Sequence, residues 1–122
     1  MTKEDKVLLL KDLCARLPHR TKVRRYRYTT PIDSIQSVEL LGLGWLEELY
    51  GEEAEFKPYL FPLSSMTEEQ SKVYHELING IFGTSALINF EVLTDFFNSN
   101  HLDYRGLIKR GLAIDATGLN IY

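Results

Sequence analysis

The sequence predicts a single α+β domain spanning residues 1–122, with helices and strands segregated along the chain. Apolar residues recur at helical spacing up to residue 17, alternate with polar residues between 20 and 57, and return to helical spacing after residue 62. These three observations predict an N-terminal helix, a three- to four-stranded antiparallel sheet, three further helices and a short final strand at residues 112–116.

The first predicted helix covers residues 3–17. Thr2 has the hydroxyl of an N-cap residue, and the acidic residues that follow favour the positive end of the helix dipole. Pro18 predicts its end, because the residue before a proline avoids helical geometry. The sequence pattern places Cys14 on the apolar stripe as a small buried residue, and the full stripe is Val7, Leu10, Leu13, Cys14 and Leu17.

The strand region begins at residues 22–30, where Arg25 and Arg27 alternate with Tyr26 and Tyr28. Residues 34–41 alternate again, and we expect Gln36, Val38 and Leu40 to share one face of a strand. The segment WLEELY at 45–50 is too short to distinguish a helical turn from a strand, so both assignments remain open.

Helical spacing after residue 62 predicts three helices. The first carries a wide apolar face and ends at Gly80 or Gly83; the face comprises Val73, Tyr74, Leu77, Ile78, Ile81 and Phe82. The second begins after Asn89 and buries Phe90, Leu93, Phe96 and Phe97. The third is a short helix at 104–110, with Asp103 as its cap and Gly111 as its left-handed end.

The segment KPYLFPLSSMTEEQ, residues 57–70, predicts a transition from extended chain to helix. Its prolines favour extended backbone, and residues 59–63 can anchor that backbone on the core or serve as a contact surface. Thr67 with Gln70 matches a capping box, and Ser65 with Glu68 is an alternative register of the same motif.

Composition excludes several classes of protein. The net charge of −3 and the pI near 5.6 argue against a general nucleic-acid coat or a membrane-surface protein. A single cysteine cannot form an internal disulfide and fits a reducing compartment. The apolar run at 7–10 is too short for a signal-peptide core or a membrane span, so we expect a cytoplasmic protein without membrane contact.

The sequence predicts neither catalysis nor a metal or other cofactor. The three histidines, His19, His75 and His101, lack metal-ligand spacing from one another and from the cysteine, and no nucleophile elbow, phosphate loop or dinucleotide motif is present. We interpret the GLG at 42–44 as a turn or bulge. An enzyme using His101, Asp103 and Arg105 remains an alternative, although His101 is expected to be a solvent-facing loop residue beside a capping aspartate.

The segment HRTKVRRYRY, residues 19–28, is the strongest charge feature. Basic side chains interleaved with aromatic rings can follow phosphates and stack on bases, which predicts a nucleic-acid site. The alternative is neutralisation inside the fold by the glutamates at 47, 48, 52, 53 and 55, if the two segments are neighbours across a sheet. The candidate binding residues are Arg20, Lys22, Arg24, Arg25, Tyr26, Arg27 and Tyr28.

Three segments carry a family resemblance: LCARLP at 13–18, KPYLFPLSSMTEEQ at 57–70 and DFFNSNHLDYRGLIKRGLAIDA at 95–116. Together they resemble a family of small proteins of gut Bacteroides-type bacteria, often encoded in phage-like or other mobile regions. That family commonly has an arginine where Phe61 stands and a tryptophan near Phe96. The resemblance implies a lineage and a setting and assigns no catalytic residue.

We therefore expect a small, non-catalytic interaction or regulatory protein of a phage or mobile element, with a protein as its partner. The alternative is a nucleic-acid-binding module that uses residues 19–28. The oligomeric state stays open, since seven tyrosines, six phenylalanines and one tryptophan can leave an apolar patch for self-association.

Overall fold

The structure, a computed structural model, describes residues 1–28, 33–41, 44–52, 54–81 and 86–122. It confirms the α+β class: helices and a mixed sheet, with the N-terminal helix first and most strands before the long helices. Its helices are α1 (Lys3–Ala15), α2 (Trp45–Tyr50), α3 (Glu68–Ile81) and α4 (Ala86–Ser99). Its strands are β1 (Lys22–Arg27), β2 (Asp33–Ser37), β3 (Ala54–Pro62), β4 (Leu102–Asp103) and β5 (Ile114–Asp115).

The sheet of the described residues has the order β2-β1-β3-β4, and β5 also pairs with β3. β1 is antiparallel to both β2 and β3, as expected, whereas β4 and β5 run parallel to β3. The predicted antiparallel sheet is thus confirmed for the three strands β1, β2 and β3, and the parallel β4 and β5 make the whole sheet mixed. β5 lies within the final strand predicted at residues 112–116, whereas β4 has only two residues, too few for a period of two to be recognised.

Helix α1 begins as predicted, with a capping box in which Asp5 N donates to the Thr2 hydroxyl at 3.1 Å. It ends at Ala15, and a single 3-10 turn at Leu17–His19 follows. The predicted apolar stripe is partly wrong, because Val7 and Leu17 are 39% and 38% exposed. Cys14 is also exposed, which corrects its assignment to the core. The buried face is instead Leu9, Asp12, Leu13 and Arg16.

The segments flanking β1 also differ from prediction. β2 ends at Ser37, and a 3-10 turn at Val38–Leu40 buries Val38 while leaving Leu40 69% exposed. The expected common face of these two residues is therefore wrong. The ambiguous WLEELY segment forms α2, which buries Trp45 and Leu49. Residues 42 and 43 of the GLG segment lie outside the described residues.

Helix α3 starts at the predicted capping box. Gln70 N donates to the Thr67 hydroxyl at 3.1 Å, and Thr67 N donates to the Gln70 side chain at 3.0 Å. The alternative register is not used, because the Ser65 hydroxyl donates to the carbonyl of Pro62 at 2.7 Å. β3 continues through Pro58, and its residues Tyr59 and Leu60 are buried, as the anchoring role predicts.

The helical hairpin of α3 and α4 is less buried than its pattern predicts. Val73 on α3 is 42% exposed, and Phe90 on α4 is 56% exposed, so both are corrected from core to surface. Phe97 is buried as expected, and its ring stacks on Tyr104 with centroids 5.1 Å apart. Gly83, a predicted helix end, lies outside the described residues, and α4 begins before Asn89.

The predicted helix at 104–110 is replaced by successive turns. Gly106 has a φ of 74°, a left-handed value that interrupts a right-handed helix at that point. Asp103 nevertheless acts as a cap, since its carboxylate accepts hydrogen bonds from the backbone N–H groups of Leu107 and Ile108 at 2.8 and 2.9 Å. Gly111 has the predicted left-handed conformation, with a φ of 75°.

The core lies between α1, α2 and one face of the sheet, and its centre is the fully buried Phe56 of β3. Trp45 packs edge-on against Phe56, with centroids 6.0 Å apart. A second cluster joins β3 to the turns before β5. The first cluster contains Leu9, Leu13, Val23, Val38, Leu41, Trp45, Leu49, Ala54 and Phe56, and the second contains Leu60, Leu107, Leu112 and Ala113.

Candidate interaction surfaces

The pleat of β1 divides the predicted basic site between two faces of the sheet. Val23 points into the core, so Arg25 and Arg27 share its face, and Lys22, Arg24 and Tyr26 lie on the other. Arg20 lies before the strand and is exposed, with a φ of 53°. Tyr28 follows the strand and is also exposed, at 54%. The seven predicted residues therefore do not form one continuous surface.

Charge on the core-side face is neutralised by helix α2. The Arg25 guanidinium forms a bidentate pair with the Glu48 carboxylate, and Arg27 Nε lies 3.9 Å from the same carboxylate. Arg25 also lies over the Phe56 ring, with its Cζ 5.9 Å from the centroid. The acidic segment thus neutralises part of the basic one through Glu48, but from helix α2 and not across a sheet as predicted.

The other predicted glutamates have different environments. Lys6 pairs with Glu52 at 3.1 Å, and this hydrogen bond lowers the pKa of the Glu52 carboxyl. Glu55 pairs with Lys57 at 2.8 Å and accepts a hydrogen bond from the Tyr28 hydroxyl at 3.0 Å; the Lys57 bond is the largest cause of its lowered pKa. Glu47 is exposed, and Glu53 lies outside the described residues.

The outward face of the sheet carries a mixed charge pattern. Arg24 and Asp33 form an exposed bidentate pair with both N–O distances at 2.9 Å, and this hydrogen bond raises the pKa of Arg24 and lowers that of Asp33. Across the strands Arg24 faces Lys57, and Tyr26 faces Glu55. These last four side chains line a shallow cavity of about 150 Å³.

A buried ionic cluster, which the sequence pattern did not indicate, links α1 to the segment after α4. Asp12 and Arg16 are both fully buried, and the carboxylate accepts hydrogen bonds from Arg16 Nε at 2.8 Å and Nη2 at 3.1 Å. Arg16 Nη2 also donates to the carbonyl of Leu102 at 2.7 Å, and Arg105 Nε lies 3.3 Å from Asp12. Both guanidinium groups lie against the Tyr104 ring. The i, i+4 spacing of Asp12 and Arg16 is the only sequence signal for this cluster.

The last residue of the chain is bound to the middle of the fold. The Tyr122 hydroxyl accepts a hydrogen bond from Lys22 N at 2.8 Å and donates one to the carbonyl of Tyr59 at 2.6 Å. Its ring stacks on His101, with centroids 3.9 Å apart, and lies 5.6 Å from the ring of Phe61. Burial raises the pKa of the Tyr122 phenol. This tyrosine therefore joins β1, β3 and the turn before β4.

His101 is partly buried rather than solvent-facing, which corrects the expectation for it. Its Nδ1 lies 3.0 Å from the Thr21 hydroxyl, and burial together with the Arg16 charge lowers its pKa to about 4. The alternative catalytic residues have separate partners: Asp103 caps the following turn, and Arg105 pairs with Asp12. Each of the three side chains therefore has a structural partner.

An open surface with a largely apolar lining lies along the helical hairpin. We call it the α3–α4 groove: a depression of about 510 Å³ lined by Pro18, Val73, Leu77, Val92, Phe96 and the polar His19, Asp95 and Ser99. Val73 and Val92 are both 42% exposed. Tyr74 and Phe97 pack against each other elsewhere on the same helices, with centroids 5.8 Å apart, which holds the pair together. Sequence analysis missed this surface because it assigned Val73 to the core.

A second open surface lies on α1. We call it the α1 ridge: Lys3, Val7 and Lys11, with Arg110 beside them. Glu4 and Leu8 complete a depression of about 580 Å³ at this place. By contrast, the residues 59–63, a predicted contact surface, are largely occupied by the fold: Tyr59 and Leu60 are buried, whereas Leu63 is 38% exposed.

Comparison with known proteins adds no family, since no protein-family model, curated protein or solved structure matches the chain. In the part of the chain that the structure describes, no helix combines the length and apolar character needed to cross a bilayer. The same residues contain no group of three or more His, Cys, Asp or Glu side chains arranged to hold a metal ion.

Proposed function

We propose that this protein is a small, non-catalytic interaction or regulatory protein that binds a partner protein through the α3–α4 groove. We also propose that it acts in the cytoplasm, because an exposed unpaired cysteine suits a reducing compartment. The setting in a phage or other mobile element rests on the resemblance of residues 57–70 and 95–116.

The observation that carries the proposal is the apolar floor of the α3–α4 groove. Leu77 and Phe96 are only partly buried there, and Val73 and Val92 present about two-fifths of their surface to solvent. Exposed contiguous apolar surface with a polar edge is typical of protein-interaction sites. A groove between two helices suits an amphipathic helix, which inserts apolar residues at three- and four-residue spacing.

Site-specific photo-crosslinking in cells that naturally carry the gene tests this proposal. A benzophenone amino acid replaces Val92 in the groove, and the matched control replaces Ile35, which is 52% exposed on β2. We expect a discrete protein adduct from position 92 and none of the same mass from position 35. Adding Val73→Gln should reduce the adduct. Equal labelling at both positions, or none at 92, would contradict the proposal.

A second candidate function is binding of single-stranded nucleic acid on the outward face of the sheet. It is favoured by Lys22, Arg24 and Tyr26 sharing that face with Lys57, since an open sheet face with cations and aromatic rings suits base stacking. Its charge is offset by Asp33 and Glu55, which is why we rank it second.

A titration with single- and double-stranded DNA at low and moderate salt tests the second candidate. Binding should weaken as salt rises, because phosphate contacts release counterions. The variant Lys57→Ala should reduce the slope of affinity against salt, and the core-side Arg27→Ala should leave it unchanged. Absence of binding, or binding insensitive to salt, rules this candidate out.

A further inference from the structure

We infer that the groove's partner is a second copy of this chain, and that the α1 ridge of one molecule docks into the α3–α4 groove of the next. The inference rests on the proposed function and names its partner. The two surfaces share no residue, so the contact is heterologous, or head to tail. After each addition, the assembly still has one free ridge and one free groove. Further copies can therefore add to it, unless the assembly closes into a ring.

Charge complementarity is the first argument. Bases outnumber acids at the ridge: Lys3 and Lys11 are exposed and form no ion pair within the described residues, and Glu4 is the one acid that lines the same depression. Arg110 beside them is 56% exposed and reaches Asp5 at 3.5 Å. Asp95 lines the groove, and α3 and α4 also carry the exposed acids Glu69, Glu76 and Glu91 against the single lysine Lys72. Opposite surface charge steers association and disfavours like-charged partners.

Apolar character matches as well. Val7, on the α1 wall of the ridge's depression, is 39% exposed between two lysines at four-residue spacing. The length of the ridge from residue 3 to residue 11 is about 12 Å, and the α4 wall of the groove from residue 92 to residue 99 is about 10 Å, at 1.5 Å rise per residue. In the proposed contact, Val7 of one copy supplies apolar surface for Val73 and Val92 of the next.

Sedimentation velocity of the purified chain tests the inference over protein concentrations from about 10 µM to 1 mM, the range suited to a small interface. We expect the average mass to rise above the monomer's 14.1 kDa and past that of a dimer. Association should weaken several-fold between low and high salt. A monomer throughout this range overturns the inference.

Two blocked variants test the head-to-tail arrangement. Val7→Glu places an acid on the ridge, and Val73→Gln with Val92→Gln removes the apolar floor of the groove. Each should be monomeric alone, whereas their equimolar mixture should form a dimer that does not grow, because one intact ridge meets one intact groove. A mixture that stays monomeric overturns the arrangement, as does a blocked variant that assembles like the wild type.

Matched controls separate surface effects from folding. The substituted valines are about two-fifths exposed, so their replacement should not disturb the core. Each variant must also keep the wild-type circular dichroism spectrum and melting temperature. Lys11→Glu is a second ridge variant that should act like Val7→Glu, and Ile35→Glu on the sheet should leave association unchanged. If the chain is monomeric and the groove crosslinks a different protein, this inference fails and the proposed function stands. If neither occurs, both fail.

Discussion

Substitution of Asp12 by asparagine tests the buried ionic cluster. The change keeps the side-chain shape and removes a negative charge that lies against two guanidinium groups. Arg16 remains fully buried, with the carbonyl of Leu102 as its remaining strong acceptor. Arg16 Nη1 has no hydrogen-bond partner among the described residues even in the wild type. No other acceptor nearby is therefore in place to compensate for the lost carboxylate.

The expected loss follows from burial. Removing one partner of a buried ion pair and leaving the other charged typically lowers the free energy of unfolding by about 3–5 kcal/mol. Arg105 also loses the carboxylate 3.3 Å away, which favours the upper part of this range. For a chain of 122 residues, 1 kcal/mol corresponds to about 4 °C, so we expect the melting temperature to fall by about 12–20 °C.

The matched control is Asp33→Asn. Asp33 forms the same bidentate contact with Arg24, at 2.9 Å for both bonds, and its side chain is 50% exposed. Water solvates the remaining arginine at that site, so the control should leave stability close to that of the wild type. The comparison thus varies burial while the chemistry of the pair stays constant.

Urea unfolding provides the measurement, followed by far-UV circular dichroism and by fluorescence of the single tryptophan, Trp45. Loss of less than about 1 kcal/mol for Asp12→Asn, or a loss equal to that of Asp33→Asn, would refute the reasoning. The double variant Asp12→Leu with Arg16→Met should recover part of the lost stability, because it removes the buried charge of Arg16, whereas Arg105 still lacks its carboxylate.

Three further predictions concern local contacts. Thr67→Ala should lower the free energy of unfolding by about 1 kcal/mol through loss of the α3 cap, whereas Ser65→Ala should have a smaller effect; an unchanged melting temperature for Thr67→Ala would argue against the cap. Tyr122→Phe should lower it by about 1–3 kcal/mol, since two main-chain groups lose their partner; the control is Tyr28→Phe, whose hydroxyl bonds only the Glu55 side chain. The pKa of His101 is lowered to about 4 from an ordinary 6.5. As the pH decreases, the imidazole is therefore protonated in the unfolded chain before it is protonated in the folded one. The free energy of unfolding should fall between about pH 6.5 and pH 4 for this reason. His101→Asn, which tolerates the local φ of 55°, should flatten that part of the stability–pH curve, and a curve unchanged by the substitution would contradict it.

Local signals predicted the ends of elements well. Thr2 and Thr67 both form capping boxes, because the hydroxyl and its partner lie three residues apart and need no distant group. Asp103 caps as predicted, although a turn follows it instead of a helix. The left-handed Gly106 explains that difference, since glycine makes such a conformation accessible without requiring it.

Burial was predicted less well than element type. The helical period of α1 is compatible with several faces, and the fold buries the one that contains Asp12 and Arg16, leaving Val7 exposed. On α3 and α4 the apolar pattern is wider than the surface available to cover it, so Val73 and Phe90 reach solvent. That surplus apolar surface is the basis of the proposed interaction site.

By itself, the sequence determined the α+β class, the order of the main helices and strands, and the caps that begin α1 and α3, because these depend on residues within one or two turns of each other. Tertiary structure alone decided which charges are paired and which apolar residues are covered. Arg25 meets Glu48 from 23 positions away, and Tyr122 reaches Tyr59 from 63. Contacts at such separations depend on how the elements pack, and no local period encodes that packing.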